Sequence, residues 1–267
     1  MLALRFAFVL LLAVTASGDS HAEERTAAKP AAPVSLEITP DAAAHPTVRI
    51  EPRTPQEALD RLKAGNARFV AGRMTHPDEN LARLNELRGG QHPFAAVVGC
   101  SDSRVPPELL FDEGFGDLFV IRVAGNVYAG DVAASVEYAV EHLHVPLVIV
   151  LGHENCGAVG AAFTGAVEPE PELAHLLSTL GSQAHVSECD CLEEAITRNA
   201  QATADELSKL HAVVEARKKR EVRVVAGVYS MTERTVKFVE PKDESEMSAK
   251  RPEHPDATES GATPAVD

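Results

Sequence analysis

Four short, almost uninterrupted apolar runs, at 94–99 (FAAVVG), 118–123 (LFVIRV), 147–151 (LVIVL) and 222–228 (VRVVAGV), are separated by stretches of helical character. A strand with so little polar alternation has no face for solvent and must be covered on both sides. Helices lying between such strands are the usual means of joining and covering parallel neighbours. The chain is therefore predicted to be α/β, a single domain built on a mainly parallel β-sheet flanked by helices, with a helical arm on its N-terminal side. Residues 235–240 (TVKFVE) alternate and are predicted to form a final edge strand.

Helix boundaries are signalled locally. Thr54-Pro55-Gln56-Glu57 spells a capping box with proline at the first helical position, and Leu59, Leu62 and Phe69 follow at helical spacing. Asp131 is the expected N-cap of a helix whose Val132, Val136, Val140 and Leu143 share a face, with Pro146 beyond its end. A longer helix is expected over 192–217, capped by Asp190.

The ends of the chain differ from this middle. Arg5 followed by the apolar run 6–14 (FAFVLLLAV) and small residues reads as a signal peptide over 1–22, cleaved near Ser20-His21-Ala22. The run is about half the roughly 20 residues needed to span a bilayer, so no membrane association is expected after cleavage. Residues 23–53 hold Pro30, Pro33, Pro40, Pro46 and Pro52 among alanines and suit an extended linker or arm. Residues 54–240 form the expected catalytic domain, and 241–267, acidic and poor in apolar residues, are expected to be disordered. Export, with a bacterial periplasm as the expected destination, is the reading that the leader supports.

A formal net charge of −15 argues against a nucleic-acid partner. The one dense basic run, Arg217-Lys218-Lys219-Arg220, reads as the solvated end of a helix.

Ligands of open α/β sheets bind beyond the carboxyl ends of the strands. Cys100 stands directly after the first strand, with Asp102 and Arg104 close behind, and His153 stands two residues past the third, with Cys156 three further on. In a parallel sheet those two ends share one edge. Two sulfurs, a nitrogen and an oxygen make a suitable tetrahedral set for zinc. A disulfide between Cys100 and Cys156 is the competing reading in an oxidising compartment, but Asp102, Arg104 and His153 would be costly polar company for it. Cys189 and Cys191, spaced CxC, read as an exposed loop, with an intermolecular or a strained local disulfide as alternatives. His142 and His144 read as helix-end or surface residues, and Arg122 and Asn126 as residues that fix the loop after the second strand.

The runs Val98-Gly99-Cys100-Ser101-Asp102-Ser103-Arg104-Val105-Pro106-Pro107-Glu108, Gly116 to Asn126 (GDLFVIRVAGN) and Val150 to Val159 (VLGHENCGAV) together resemble the signatures of the β-class carbonic anhydrases. More weakly, the likeness extends from Thr54 to about Phe238. It departs from the family pattern over 168–190, and at Thr232-Glu233-Arg234, where a glycine is expected before the last strand. The resemblance implies a β-carbonic anhydrase-like fold and one zinc per chain, bound by Cys100, Asp102, His153 and Cys156. It also implies carbon dioxide and bicarbonate as substrates, and a homodimer or higher homo-oligomer in which N-terminal helices pack on the partner.

A catalytic zinc keeps one position open, so Asp102 is expected to be able to leave the metal, with the Arg104 guanidinium as its acceptor. Two thiolates offset the zinc charge, so activity is expected to rise into the alkaline range. Alternatives are the same chemistry on carbon disulfide or carbonyl sulfide, a non-catalytic zinc- or bicarbonate-binding protein, and a thiol–disulfide protein.

Overall fold

A computed structural model describes residues 52–167 and 170–239. The signal peptide read at 1–22, all but the end of the linker at 23–53 and the tail at 241–267 lie outside the described residues. Thirteen helices and strands order the fold: α1 (Pro55–Val70), α2 (Leu81–Glu86), β1 (Ala95–Gly99), α3 (Pro107–Leu110), β2 (Leu118–Arg122), α4 (Gly130–Glu141), β3 (Leu147–His153), α5 (Gly157–Thr164), α6 (Pro171–Ala184), α7 (Leu192–Ser208), α8 (His211–Arg217), β4 (Arg223–Tyr229) and β5 (Val236–Val239). Short 3-10 turns link some of them.

The sheet has the order β2-β1-β3-β4-β5, with β1 to β4 mutually parallel and β5 antiparallel on β4. β1 and β3 are central, and every residue in both is buried. Their side chains divide by the two-residue period of a strand. Ala95, Val97, Leu147, Ile149 and Leu151 pack with Leu59, Leu62, Phe111, Leu180 and Ile196 on one face. Ala96, Val98, Val148 and Val150 pack with Val132, Val136, Val140, Leu207 and Val213 on the other. Continuous apolar strands are thus the sequence record of a sheet with two cores.

The α1 capping box forms as expected: Glu57 N–H donates to Thr54 Oγ1 at 3.2 Å, and Thr54 N–H to Glu57 Oε2 at 3.1 Å. Further along, Gly65 permits α1 to lie against the turn after α3, because a Cβ there would fall 1.7 Å from the Phe111 carbonyl oxygen.

Three local expectations change. α4 begins two residues earlier than read, with Ala129 at the cap position; Asp131 lies in the first turn, where its charge still favours the helix dipole. The helix expected over 192–217 is two helices, because Leu210 leaves the helical region (φ −54°, ψ 136°) and α8 turns to pack on α4. Cys191, not Asp190, occupies the cap of α7, and the Asp190 N–H instead donates to Glu194 at 2.9 Å. The turn lacking glycine before β5 is accommodated by Arg234, which adopts φ 61°. Among the described residues no helix is long and apolar enough to cross a membrane.

Candidate metal centre

The parallel register sets the site. Gly99 at the end of β1 pairs with Leu151 of β3, so Cys100 emerges beside Gly152. His153, read as lying two residues past the strand, is its last residue because β3 stays paired with β4 to Tyr229. Cys156 ends the loop after β3 as the N-cap residue of α5. One ligand atom from each of Cys100, His153 and Cys156 lies within 4.8 Å of the others, and all three residues are buried. Cys100 Sγ and Cys156 Sγ stand 4.0 Å apart, as free thiols rather than a disulfide.

The histidine is oriented from behind. Its Nδ1 lies 3.0 Å from the Glu154 carbonyl oxygen. A carbonyl only accepts, so Nδ1 carries the proton and Nε2 presents its lone pair to the sulfurs. That Nε2 is buried with no hydrogen-bond partner. A fully buried nitrogen left so is costly unless something takes its lone pair. Two sulfurs and one such nitrogen fit a zinc ion by donor type and by spacing.

The sulfurs are unequal. Hydrogen bonding from the Cys156 thiol holds the Cys100 pKa well below its ordinary value, at about 4. The same hydrogen bond, together with burial, pushes Cys156 up. One proton shared by two close sulfurs is the arrangement that a cation displaces. Cys100 also accepts from the Gly125 N–H at 3.3 Å. Gly125 takes φ 69°, and a Cβ there would meet Leu180 at 3.0 Å. Its carbonyl is held in turn by Asn199 Nδ2 at 2.8 Å. Asn199 was not singled out from sequence; the signal available was an amide side chain on the mostly apolar buried face of α7.

Asp102 stands outside the three-donor group, its Oδ2 4.0 Å from His153 Nε2. Arg104 holds it by two side-chain hydrogen bonds, Nε to Oδ1 at 2.9 Å and Nη2 to Oδ2 at 2.7 Å, and by its own backbone N–H at 2.9 Å. This clamp keeps the Asp102 carboxyl far below the usual carboxylate range. Arg122 donates to the carbonyls of Cys100 and Asp102, tying the first ligand loop to the end of β2. Asn126 is buried beside it with an unpartnered Nδ2.

Glu154, another residue that the sequence did not mark, accepts from Ser230 Oγ, Thr232 N–H and Thr232 Oγ1 and so fixes the loop after β4 against the site. His142 and His144 lie at the C-terminal end of α4, away from the metal edge. Cys189 is buried and Cys191 exposed, so the exposed-loop reading holds for the second cysteine alone.

Comparison with known proteins places these residues in context. The family model described as carbonic anhydrase matches residues 95–236, just over half of the chain. A carbonic anhydrase of Mycolicibacterium smegmatis is 52% identical over 116 residues, covering 43% of this chain and 56% of that protein. Carbonic anhydrase 2 of Mycobacterium tuberculosis is 53% identical over 108 residues, or 40% and 52% of the two chains. The chain thus spans about half the length of these curated relatives. A carbonic anhydrase of Pseudomonas aeruginosa is 35% identical over 162 residues, 55% of this chain and 74% of that one. Among solved structures, a β-carbonic anhydrase of Aspergillus fumigatus superposes with a TM-score of 0.56 at 29% identity, over 73% of this chain and 95% of that one. One of two tetrameric β-carbonic anhydrases from Sordaria macrospora gives 0.55 at 27%, over 68% and 95%.

Proposed function

The chain belongs to the β-carbonic anhydrase family, and on that premise we propose that it catalyses the reversible hydration of carbon dioxide to bicarbonate and a proton with zinc held by Cys100, His153 and Cys156. The observation that carries this reading is the buried, unpartnered His153 Nε2 facing two sulfurs, with an arginine-clamped carboxylate 4.0 Å away. Zinc bound there would supply a Lewis acid that makes water more acidic and nucleophilic.

The chain's own groups do the rest. The Asp102 carboxylate accepts a hydrogen bond from the reacting water and aims its lone pair at the carbon of carbon dioxide. Arg104 keeps that carboxylate ionised and holds it off the three donors, which would leave a metal there a position for water. Once released from Arg104, Asp102 would be available as a further ligand to the metal, so the two positions of one side chain would be the active and inactive forms. Arg122 fixes the loop in which this exchange takes place. The Glu154 carbonyl and the Gly125 N–H set the histidine tautomer and the Cys100 thiolate before any substrate arrives.

A homo-oligomer is part of the proposal. It is supported by the side chains of Leu81, Leu84, Phe115 and Tyr138, which are exposed although large and apolar. Export through the leader read at 1–22 is proposed as well, with cell fractionation as its check.

The test is stopped-flow carbon dioxide hydration by the purified chain, with zinc content measured on the same sample. About one zinc per chain and fast, chelator-sensitive hydration are expected. Zinc without hydration at neutral and alkaline pH would discard the substrate and keep the site.

A further inference from the structure

The opposite edge of the sheet carries a second constellation, unconnected with the metal ligands. Arg217, Arg220 and Arg223 line one pocket of about 310 Å³ together with Pro55, Glu221 and Val222. Arg223 opens β4 and pairs with Leu147 at the start of β3, whereas His153 at the end of β3 pairs with Tyr229. The pocket is therefore about one strand length, roughly 20 Å, from the metal edge.

Each guanidinium is anchored by neutral acceptors. Arg217 donates to the carbonyls of Val222 and Ser208, Arg220 to those of Val145 and Val140, and Arg223 to Gln56 Oε1. Among the described residues none of the three forms an ion pair, although the neighbouring Lys218 is bound by Glu215. Burial without a counter-ion pushes the Arg220 pKa down, a penalty that an anion would relieve. The basic run is the solvated end of α8, with Arg217, Lys218 and Lys219 exposed, and its half-buried last residue, Arg220, lines this pocket beside the exposed Arg223. In a chain of net charge −15, three oriented guanidiniums around one cavity, against the single carboxylate of Glu221 in its lining, form a local positive well.

We propose that this pocket is an oxyanion site, taking a phosphate- or carboxylate-type anion through Arg217, Arg220 and Arg223. Two sources share that chemistry. One is a free inorganic anion. The other is the chain itself: β5 runs antiparallel to β4 with Val239 opposite Ala226, so the strand is directed toward the edge where Arg223 lies, three residues further along β4. The sequence after β5 then supplies Asp243, Glu244 and Glu246. Guanidinium forks match both kinds of anion, and their fixed anchoring lowers the ordering cost of binding.

The experiment is a phosphate titration of the zinc-loaded full chain, read by thermal unfolding and calorimetry. It compares the wild type, R223Q, R223K, and a D243N/E244Q/E246Q triple variant with and without R223Q. Saturable stabilisation by phosphate is expected, weakened about tenfold by R223Q, the loss of one charge-assisted hydrogen bond, and weakened less by R223K. Tighter phosphate binding in the triple variant than in the wild type assigns the pocket to the chain's own carboxylates. Equal binding assigns it to a free oxyanion. A response that R223Q leaves unchanged in both backgrounds belongs to the metal edge and overturns the site, as does no response in either background.

Discussion

Asp102 and Asp112 are two carboxylates clamped by arginine in one stretch of chain, and they are held in opposite ways. Among the described residues, every hydrogen bond given to the Asp102 carboxylate comes from Arg104, two residues on, whose side chain is 54% exposed. Asp112 is fully buried and accepts from Arg68 Nε, from Thr75 N–H and Oγ1, and from His76 N–H, which ties α1, the segment after it and the turn after α3 into one unit. One clamp is local and can be released by rotating a single side chain. The other is distributed, and nothing short of local unfolding releases it. Whether the donors come from one neighbour or from several distant segments separates a carboxylate that can move from one that staples the fold.

The largest test of that contrast is Asp112→Ala. It leaves Arg68 Nε and three further donors without their acceptor and should cost about 3 kcal/mol of stability, the lower range for breaking a buried pair. Denaturant unfolding checks this, and hydration per folded, zinc-loaded molecule should stay near wild type. A matching loss of turnover would erase the distinction between the two aspartates. Arg104→Ala should show the reverse, with zinc content and unfolding midpoint retained and hydration down about 100-fold, the scale of losing a positioned catalytic group. Wild-type turnover in that variant would end the proposed exchange of Asp102.

Acid titration sharpens the comparison further. Burial pushes the Asp112 carboxyl up, but Arg68 and the N–H groups of Thr75 and His76 outweigh it and leave its pKa lowered. Asp102 is lowered as well, chiefly by Arg104. A carboxyl lowered on folding contributes stability that is present above its unfolded pKa, about 3.9, and is lost as the pH falls below that value. Solvent screens the exposed Arg104 partner, so Asp112 should carry the larger share. Asp112→Asn should flatten the fall in stability below about pH 4 more than Asp102→Asn does, as urea midpoints across that range would show. The smallest effect expected is that of Thr75→Ala, about 1 kcal/mol for one side-chain hydrogen bond among several on Asp112.

β1 and β3 were legible because burial on both faces leaves a compositional trace. β2, read as buried in the same way, is a half-buried edge strand, β5 was marked by its alternation, and all five fall within a residue or two of the runs that marked them. The capping box at Thr54 was legible because it is a local exchange of hydrogen bonds. Asp131 and Asp190 misled for a related reason: an aspartate near a helix start is favoured by the dipole at several positions, and only the backbone angles decide which residue caps. The break at Leu210 left no proline or glycine to announce it, since packing of α8 on α4 imposed it.

By itself the sequence determined a parallel α/β sheet and the grouping of Cys100, His153 and Cys156, because strand ends in a parallel sheet share an edge. It also put Asp102 and Arg104 within reach of each other, being two residues apart. Only the tertiary structure decided that Asp102 lies on Arg104 and outside the three-donor group, and that Asn199 supports Cys100 through Gly125 across 74 residues of chain. It also decided that three arginines from α8, the turn after it and β4 face one pocket at the far edge. Periodicity and spacing encode which face a residue takes and which neighbours lie close in the chain. Which donor meets which acceptor across the fold is settled by packing, and no local pattern records it.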